Sequence, residues 1–147
     1  MRARPGGVDL GLVVEALSRP VVVGAAIVRG GRLLAQQRAY PDHLAGQWEL
    51  PGGRVEPGET EVDALVRECV EELGVQVRVG GRVGPDVPLP EAGAILRVYA
   101  ATLVQDGIDP IPREHRTVRW VAKEEVAALD WLRPDRLLVP HLRDLLS

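Results

Sequence analysis

The segment from Thr60 to Gly74 has little freedom in how it folds. Thr60 offers a side-chain oxygen to cap a helix, and Asp63 stands where the acidic member of a capping box belongs. Gly74 suits the left-handed position just past the last turn. Between them Val62, Leu65, Val66, Cys69 and Leu73 recur at helical spacing and form one apolar stripe. The other side carries Glu68, Glu71 and Glu72 at i, i+3 and i+4, with Glu61 on the same side nearer the start. At about 100° per residue, these carboxylates centre about 120° away from the stripe. Like charges one turn apart destabilise a helix. A hard divalent cation turns that repulsion into binding, because Mg²⁺ takes oxygen ligands and shares them with phosphates. Arg67 lies beside the carboxylates and can orient one or hold it ionised.

A row of glutamates is also what an ordinary solvated helix face looks like, so the preceding loop matters. Gly52, Gly53 and Gly58 surround a tight turn that holds Arg54, Glu56 and Glu59. Glycines open backbone conformations closed to other residues and let a carbonyl approach a ligand closely. Upstream, the β-branched run Val21 to Val28, then Gly30-Gly31, then Arg32 to Gln37 reads as a hairpin. Ala39 to Gly46 reads as a loop, and Gln47 to Leu50 as a short strand stopped by Pro51-Gly52-Gly53, with a second loop to Glu59. Downstream, Val75 to Val79, Ala94 to Val104 and Thr117 to Val121 read as strands. The proline-bearing stretch from Gly80 to Gly93 reads as partly loop. Lys123 to Leu129 and Asp135 to Leu146 read as helices. Strands interspersed with helices imply an α/β domain with a mixed sheet.

The 147 residues suit one domain, assigned to 20–147, with 1–19 as a tail or short extension. With no Phe, the core must be largely aliphatic. A net charge of −3 argues against a broad surface for a nucleic-acid polymer, but leaves room for a small anion held by local charge or a metal. No apolar run approaches the ~20 residues that span a bilayer. Asp9 and Glu15 interrupt any signal-peptide core behind Arg2 and Arg4. The single Cys69 excludes an intramolecular disulfide and fits a reducing cytoplasm.

Gly53, five residues, Glu59, seven residues, then Arg67-Glu68-Cys69-Val70-Glu71-Glu72-Leu73-Gly74-Val75 resembles the complete signature of the Nudix hydrolase family, with every fixed position filled. The resemblance implies an α/β/α sandwich around a mixed β-sheet. It implies Mg²⁺, with Mn²⁺ as substitute, held by Glu68, Glu71, Glu72 and the Gly52 carbonyl. Arg67 is implied to orient Glu68, and Glu59 to support the loop or bind metal through water. Cys69 fills an apolar slot and reads as core. The general base is implied to be Glu68 or Glu114.

Gln36-Gln37-Arg38 and the run from Gly46 to Gly53 resemble the MutT branch, which cleaves nucleoside triphosphates to monophosphate and pyrophosphate. The C-terminal Trp120-Val121 and Leu129 to Asp135 resemble it too. Arg38, Arg54, Trp48 and Asp135 are the substrate-binding candidates that follow, and His115 reads as structural. An acceptor-only Asp135 favours an amino-bearing base edge, as in cytosine or guanine; a helix cap is the alternative. The implied substrates are (d)CTP, modified dCTP or 8-oxo-dGTP. Two other readings stay open: hydrolysis of ADP-ribose or nucleotide sugars, for which Pro90 is a cue, and a Nudix-fold sensor that binds nucleotide without cutting it. The expected partner is a small nucleotide, with the protein a monomer or homodimer.

Overall fold

The computed structural model describes residues 19–147; the N-terminal extension read at 1–19 lies almost wholly outside them. β1 (Val21–Arg29) turns through Gly30 and Gly31 into β2 (Arg32–Gln37). Both glycines have positive φ, as a two-residue hairpin of this hand requires. Two short strands follow, β3 (Trp48–Glu49) and β4 (Gly52–Arg54). After helix α1 (Glu61–Leu73) come β5 (Val77–Arg82), β6 (Val87–Leu89), β7 (Ala94–Leu103) and β8 (Thr117–Ala122). The chain ends in three short helices, α2 (Lys123–Val126), α3 (Arg133–Arg136) and α4 (Val139–Leu145).

The eight strands form one mixed sheet. β1 pairs in parallel with β7 along one edge. Its other edge is shared: Val22 to Gly24 take β4, while Val28 and Arg29 take β2. β2 in turn carries β3 and β8. Val23, Ala25 and Ile27 of β1 face α1, meeting Leu65, Cys69 and Leu73; Ala26 faces the other side, among Leu50, Val98, Trp131, Leu138 and Leu142. Burial on both faces accounts for the unbroken apolar run of β1. Helices therefore cover both sides of the sheet, as the α/β/α expectation requires. No described helix is long and apolar enough to cross a membrane.

Helix α1 has the expected ends: Thr60 Oγ1 accepts from the Asp63 N–H at 3.0 Å, and Gly74 takes a left-handed conformation. Its buried stripe differs from the expectation. Val62 is exposed and Val66 only half-buried, whereas Ala64 and Glu72 join Leu65, Cys69 and Leu73 inside.

The loop expected from Gly52 to Glu59 instead opens with β4. Gly52 packs so close to β1 that a Cβ would collide with the Val23 carbonyl oxygen, so lack of a side chain permits the pairing rather than stopping it. The helix expected over Asp135 to Leu146 is two short ones, each with a proline in its first turn, because Pro140 cannot donate within a continuous helix. That over Lys123 to Leu129 is a single turn, where Glu125 reaches back to the Ala122 N–H at 3.0 Å.

Candidate active site

Gln36 follows Leu34 on the face of β2 that looks toward α1, and Glu49 pairs with it across the β2–β3 ladder. Polar side chains on this inward parity meet the last turn of α1. Gln36 is fully buried and donates from Nε2 to Glu72 Oε2 at 3.2 Å. The Gly52 N–H donates to Glu72 Oε1 at 2.9 Å. Glu72 is therefore buried and not facing solvent, and burial pushes its carboxyl well above the usual carboxylate range despite these two donors.

Glu68, one turn earlier, lies against Gly53, where a Cβ would overlap its carboxylate. Arg67 Nη1 donates to Glu68 Oε1 at 2.8 Å. Its other nitrogens hold Glu59 at 2.7 and 2.9 Å and the Arg54 carbonyl at 3.1 Å. Arg67 thus ties the loop before α1 to Glu59 and Glu68. This bonding holds Glu59 down at about 2 and raises Arg67. Glu68 is shifted upward, because burial outweighs its bond to Arg67. Cys69 is buried and its thiol pushed up to about 12, an inert core position.

A cavity of about 540 Å³ joins these carboxylates to the opposite part of the chain. Gly52, Gly53, Glu68, Glu72, Glu114 and His115 line it, together with Arg38, Tyr40, Glu49, Leu132, Pro134 and Asp135. Of the candidates read from sequence, Glu59, Arg67, Glu71, Arg54 and Trp48 do not line it. Glu71 is half-exposed and bonds Arg67 at 3.2 Å. Arg54 is exposed. Trp48 packs on the core, and its backbone bonds Asp130 and Leu132, fixing the C-terminal segment beside β3.

Asp135 is not a helix cap. It lies inside the first turn of α3, is buried, and accepts the Leu50 N–H at 3.0 Å through Oδ2. Burial pushes its carboxyl up to about 7, the Leu50 bond opposing and the Glu49 charge adding. A carboxyl raised this far takes up a proton more readily than an exposed one, and its protonated form donates as well as accepts.

The donor set fits a hard divalent cation. Glu72 receives its hydrogen bonds from neutral groups, and Glu68, one turn earlier on the same helix, lines the same cavity, so two carboxylates present oxygens to it. Among the described residues no three acidic, His or Cys side chains converge into a ready cage. Mg²⁺ needs none, since it keeps waters and phosphate oxygens in its shell. Gln36, Glu49 and Tyr40 are parts of the site that are not among the candidates read from sequence. The parity of Gln36 and Glu49 beside Leu34 was the available signal for two of them; nothing in the pattern marks Tyr40.

The NUDIX domain model matches residues 18–142. The chain belongs to the Nudix family, and it is a hydrolase of phosphoric anhydride bonds from the family's MutT-like branch. It is 48% identical over 119 residues, 79% of this chain and 82% of the relative, to "Putative 8-oxo-dGTP diphosphatase 2" of Mycobacterium tuberculosis. It is 38% identical over 104 residues, 71% of this chain and 76% of the relative, to "CTP pyrophosphohydrolase" of Escherichia coli. The solution structure of the E. coli ORF135 protein superposes with a TM-score of 0.71 at 33% identity, covering 86% of this chain and 89% of that one.

Proposed function

We propose that this protein hydrolyses a nucleoside triphosphate to the monophosphate and pyrophosphate. The substrates proposed are CTP or dCTP, a modified dCTP, or 8-oxo-dGTP. The observation that carries this reading is one cavity lined both by Glu68 and Glu72 and by the buried Asp135. The names of two relatives, one for 8-oxo-dGTP and one for CTP, point the same way.

Glu68, Glu71, Glu72 and the Gly52 carbonyl hold Mg²⁺ or, in its place, Mn²⁺. When bound, the cation neutralises phosphate charge and acidifies a water. Arg67 orients Glu68, and Glu59 fixes Arg67. Glu114 lines the cavity while Glu68 is committed to Arg67, so Glu114 takes the proton from the attacking water. Arg38 binds phosphate. Asp135 reads the base with the oxygen not used by Leu50, and its ability both to donate and to accept suits an amino or a keto edge. The substrate is free nucleotide of the cytoplasmic pool, not a polymer.

A panel of CTP, dCTP, 5-substituted dCTP, 8-oxo-dGTP and ADP-ribose with Mg²⁺, read by product chromatography, tests this. The expected outcome is monophosphate and pyrophosphate from a cytosine or oxidised guanine nucleotide. Preferred cleavage of ADP-ribose, or tight binding of every nucleotide without turnover, overturns it.

A further inference from the structure

His115 occupies a position that the proposed chemistry does not use. Its imidazole is nearly buried and stands between two carboxylates. Nε2 donates to Glu49 Oε2 at 2.7 Å, and Arg38 Nη1 donates to the same oxygen at 3.0 Å. On the far side of the ring, Nδ1 lies 3.6 Å from Glu72 Oε2 and has no hydrogen-bond partner. Glu72 is thus enclosed on three sides: by the Gly52 N–H, by the Gln36 amide and by the His115 ring.

The loop that brings His115 here is pinned at both ends. Before it, the Ile111 N–H bonds the Leu73 carbonyl at 2.9 Å, and the Arg113 N–H bonds the Glu72 carbonyl at 3.0 Å. Arg113 Nη1 adds a bond to the Val70 carbonyl at 3.2 Å, closing the C-terminal end of α1. After it, the Arg116 N–H bonds the Gln37 carbonyl at 2.8 Å, at the end of β2. His115 therefore spans α1 and the β2–β3 pair while its backbone is held by both.

We infer that His115 is a positioning residue: it braces the Glu72 carboxylate against Glu49 and Arg38, so that the helix bearing the metal-site carboxylates and the cavity wall facing the nucleotide move as one. The inference rests on the reading of Glu72 as a metal ligand. Groups that orient a ligand from behind typically cost about ten- to a hundredfold in metal affinity when removed. Packing alone predicts something different, a loss of thermal stability with no selective effect on Glu72.

Two measurements on the nucleotide-free full-length chain separate these. Mn²⁺ affinity is read by the loss of the free-ion paramagnetic signal, and the position of Glu72 by the amide resonance of Gly52 in the metal-free protein. His115→Ala is expected to weaken Mn²⁺ about ten- to a hundredfold and to shift the Gly52 amide. His115→Gln, which returns an N–H at the place of Nε2 and so the tie to Glu49 but not the ring edge against Glu72, is expected to recover part of both. His115→Asn, too short to reach Glu49, is expected to recover little, and this ranking stands if His115→Ala does not fold. Glu72→Gln is the reference. If wild type and Glu72→Gln bind Mn²⁺ alike, the metal reading and this inference both fall. If Glu72→Gln loses the ion while all His115 variants stay within about twofold of wild type, or Gln and Asn variants are impaired equally, only the positioning role falls.

Discussion

Asp135 and Glu72 are both buried carboxyls, and each fixes an N–H of the segment Leu50 to Gly52. Burial works against their charge, and the matching amide removes that cost while keeping an oxygen for the Leu50 N–H at position 135 and for the Gly52 N–H at position 72. At position 72, Gln36, whose Oε1 has no partner among the described residues, can turn to accept from the new amide NH₂. For Asp135 the folded carboxyl titrates at about 7, above the ordinary 3.8. A raised folded value means its contribution to stability is full below the lower value, fades as pH rises, and is lost above the upper one. Asp135→Asn is therefore expected to match wild type near pH 4 and to exceed it by a growing margin toward pH 7, on the order of a few kcal/mol. The stability of the variant is thus not indifferent, as it would be for an exposed cap. Denaturant titrations across that range check it, and a pH-independent difference refutes it. The same variant is expected to reorder cytosine against oxidised guanine substrates in kcat/KM, because Asn cannot exchange donor for acceptor as a carboxyl near its midpoint does. Uniform loss on all nucleotides would leave Asp135 a purely structural residue. Glu72→Gln is expected to cut kcat by about a hundredfold or more, since metal stabilisation is worth several kcal/mol. It should leave the melting temperature of the metal-free protein unchanged or higher. A variant that unfolds, or keeps near-normal turnover, contradicts this.

Two adjacent glycines in one short strand do different work. A Cβ at Gly52 meets the backbone of Val23 and Gly24, which cannot move without breaking the β1–β4 pairing. The nearest atoms to a Cβ at Gly53 are those of the Glu68 carboxylate, the far end of a side chain rather than backbone. Gly52→Ala should therefore lose the fold, while Gly53→Ala should fold, displace Glu68 and lose activity with Mn²⁺ binding weakened. Circular dichroism with ion binding tests the pair; equal behaviour of the two contradicts the assignment. The contrast also marks where the sequence stops being readable. Helix α1 and the β1–β2 hairpin are legible because their signals are local: a Thr60 cap, a terminal Gly74, and Gly30-Gly31 between apolar runs. β4 is not, because adjacent glycines read as a break until a neighbouring strand supplies the reason for them. The burial of Glu72 is hidden for a related cause. Its place on α1 falls between the stripe and the solvent face, and only Gln36 and Gly52, from other elements, decide which side it joins. Asp135 looks like a cap because the two prolines that split the C-terminal helix act through the backbone of their own turns.

At the scale of the whole molecule, the site is assembled from segments far apart in the chain: β3 and β4, α1, the loop before β8, and α3 all line one cavity. Such an assembly places like charges together, since Glu68, Glu72, Glu49 and Asp135 share it with few cations. Packing of both sheet faces must hold that arrangement against its own repulsion in the metal-free chain. A bound divalent cation should then stabilise the entire domain, because it binds the folded state and finds no such site in the unfolded one. At a hundred times its dissociation constant a ligand adds about 2.7 kcal/mol. For a domain near 150 residues that corresponds to a rise in melting temperature of roughly 5–10 °C. Mg²⁺ is expected to produce such a rise, excess EDTA to reverse it and to stop hydrolysis together, and Glu72→Gln to abolish the rise. Calorimetric scans paired with activity at each metal concentration measure both. Turnover that persists undiminished in excess EDTA removes the cation from the chemistry. A melting temperature that rises equally in Glu72→Gln moves the stabilising ion elsewhere on the molecule.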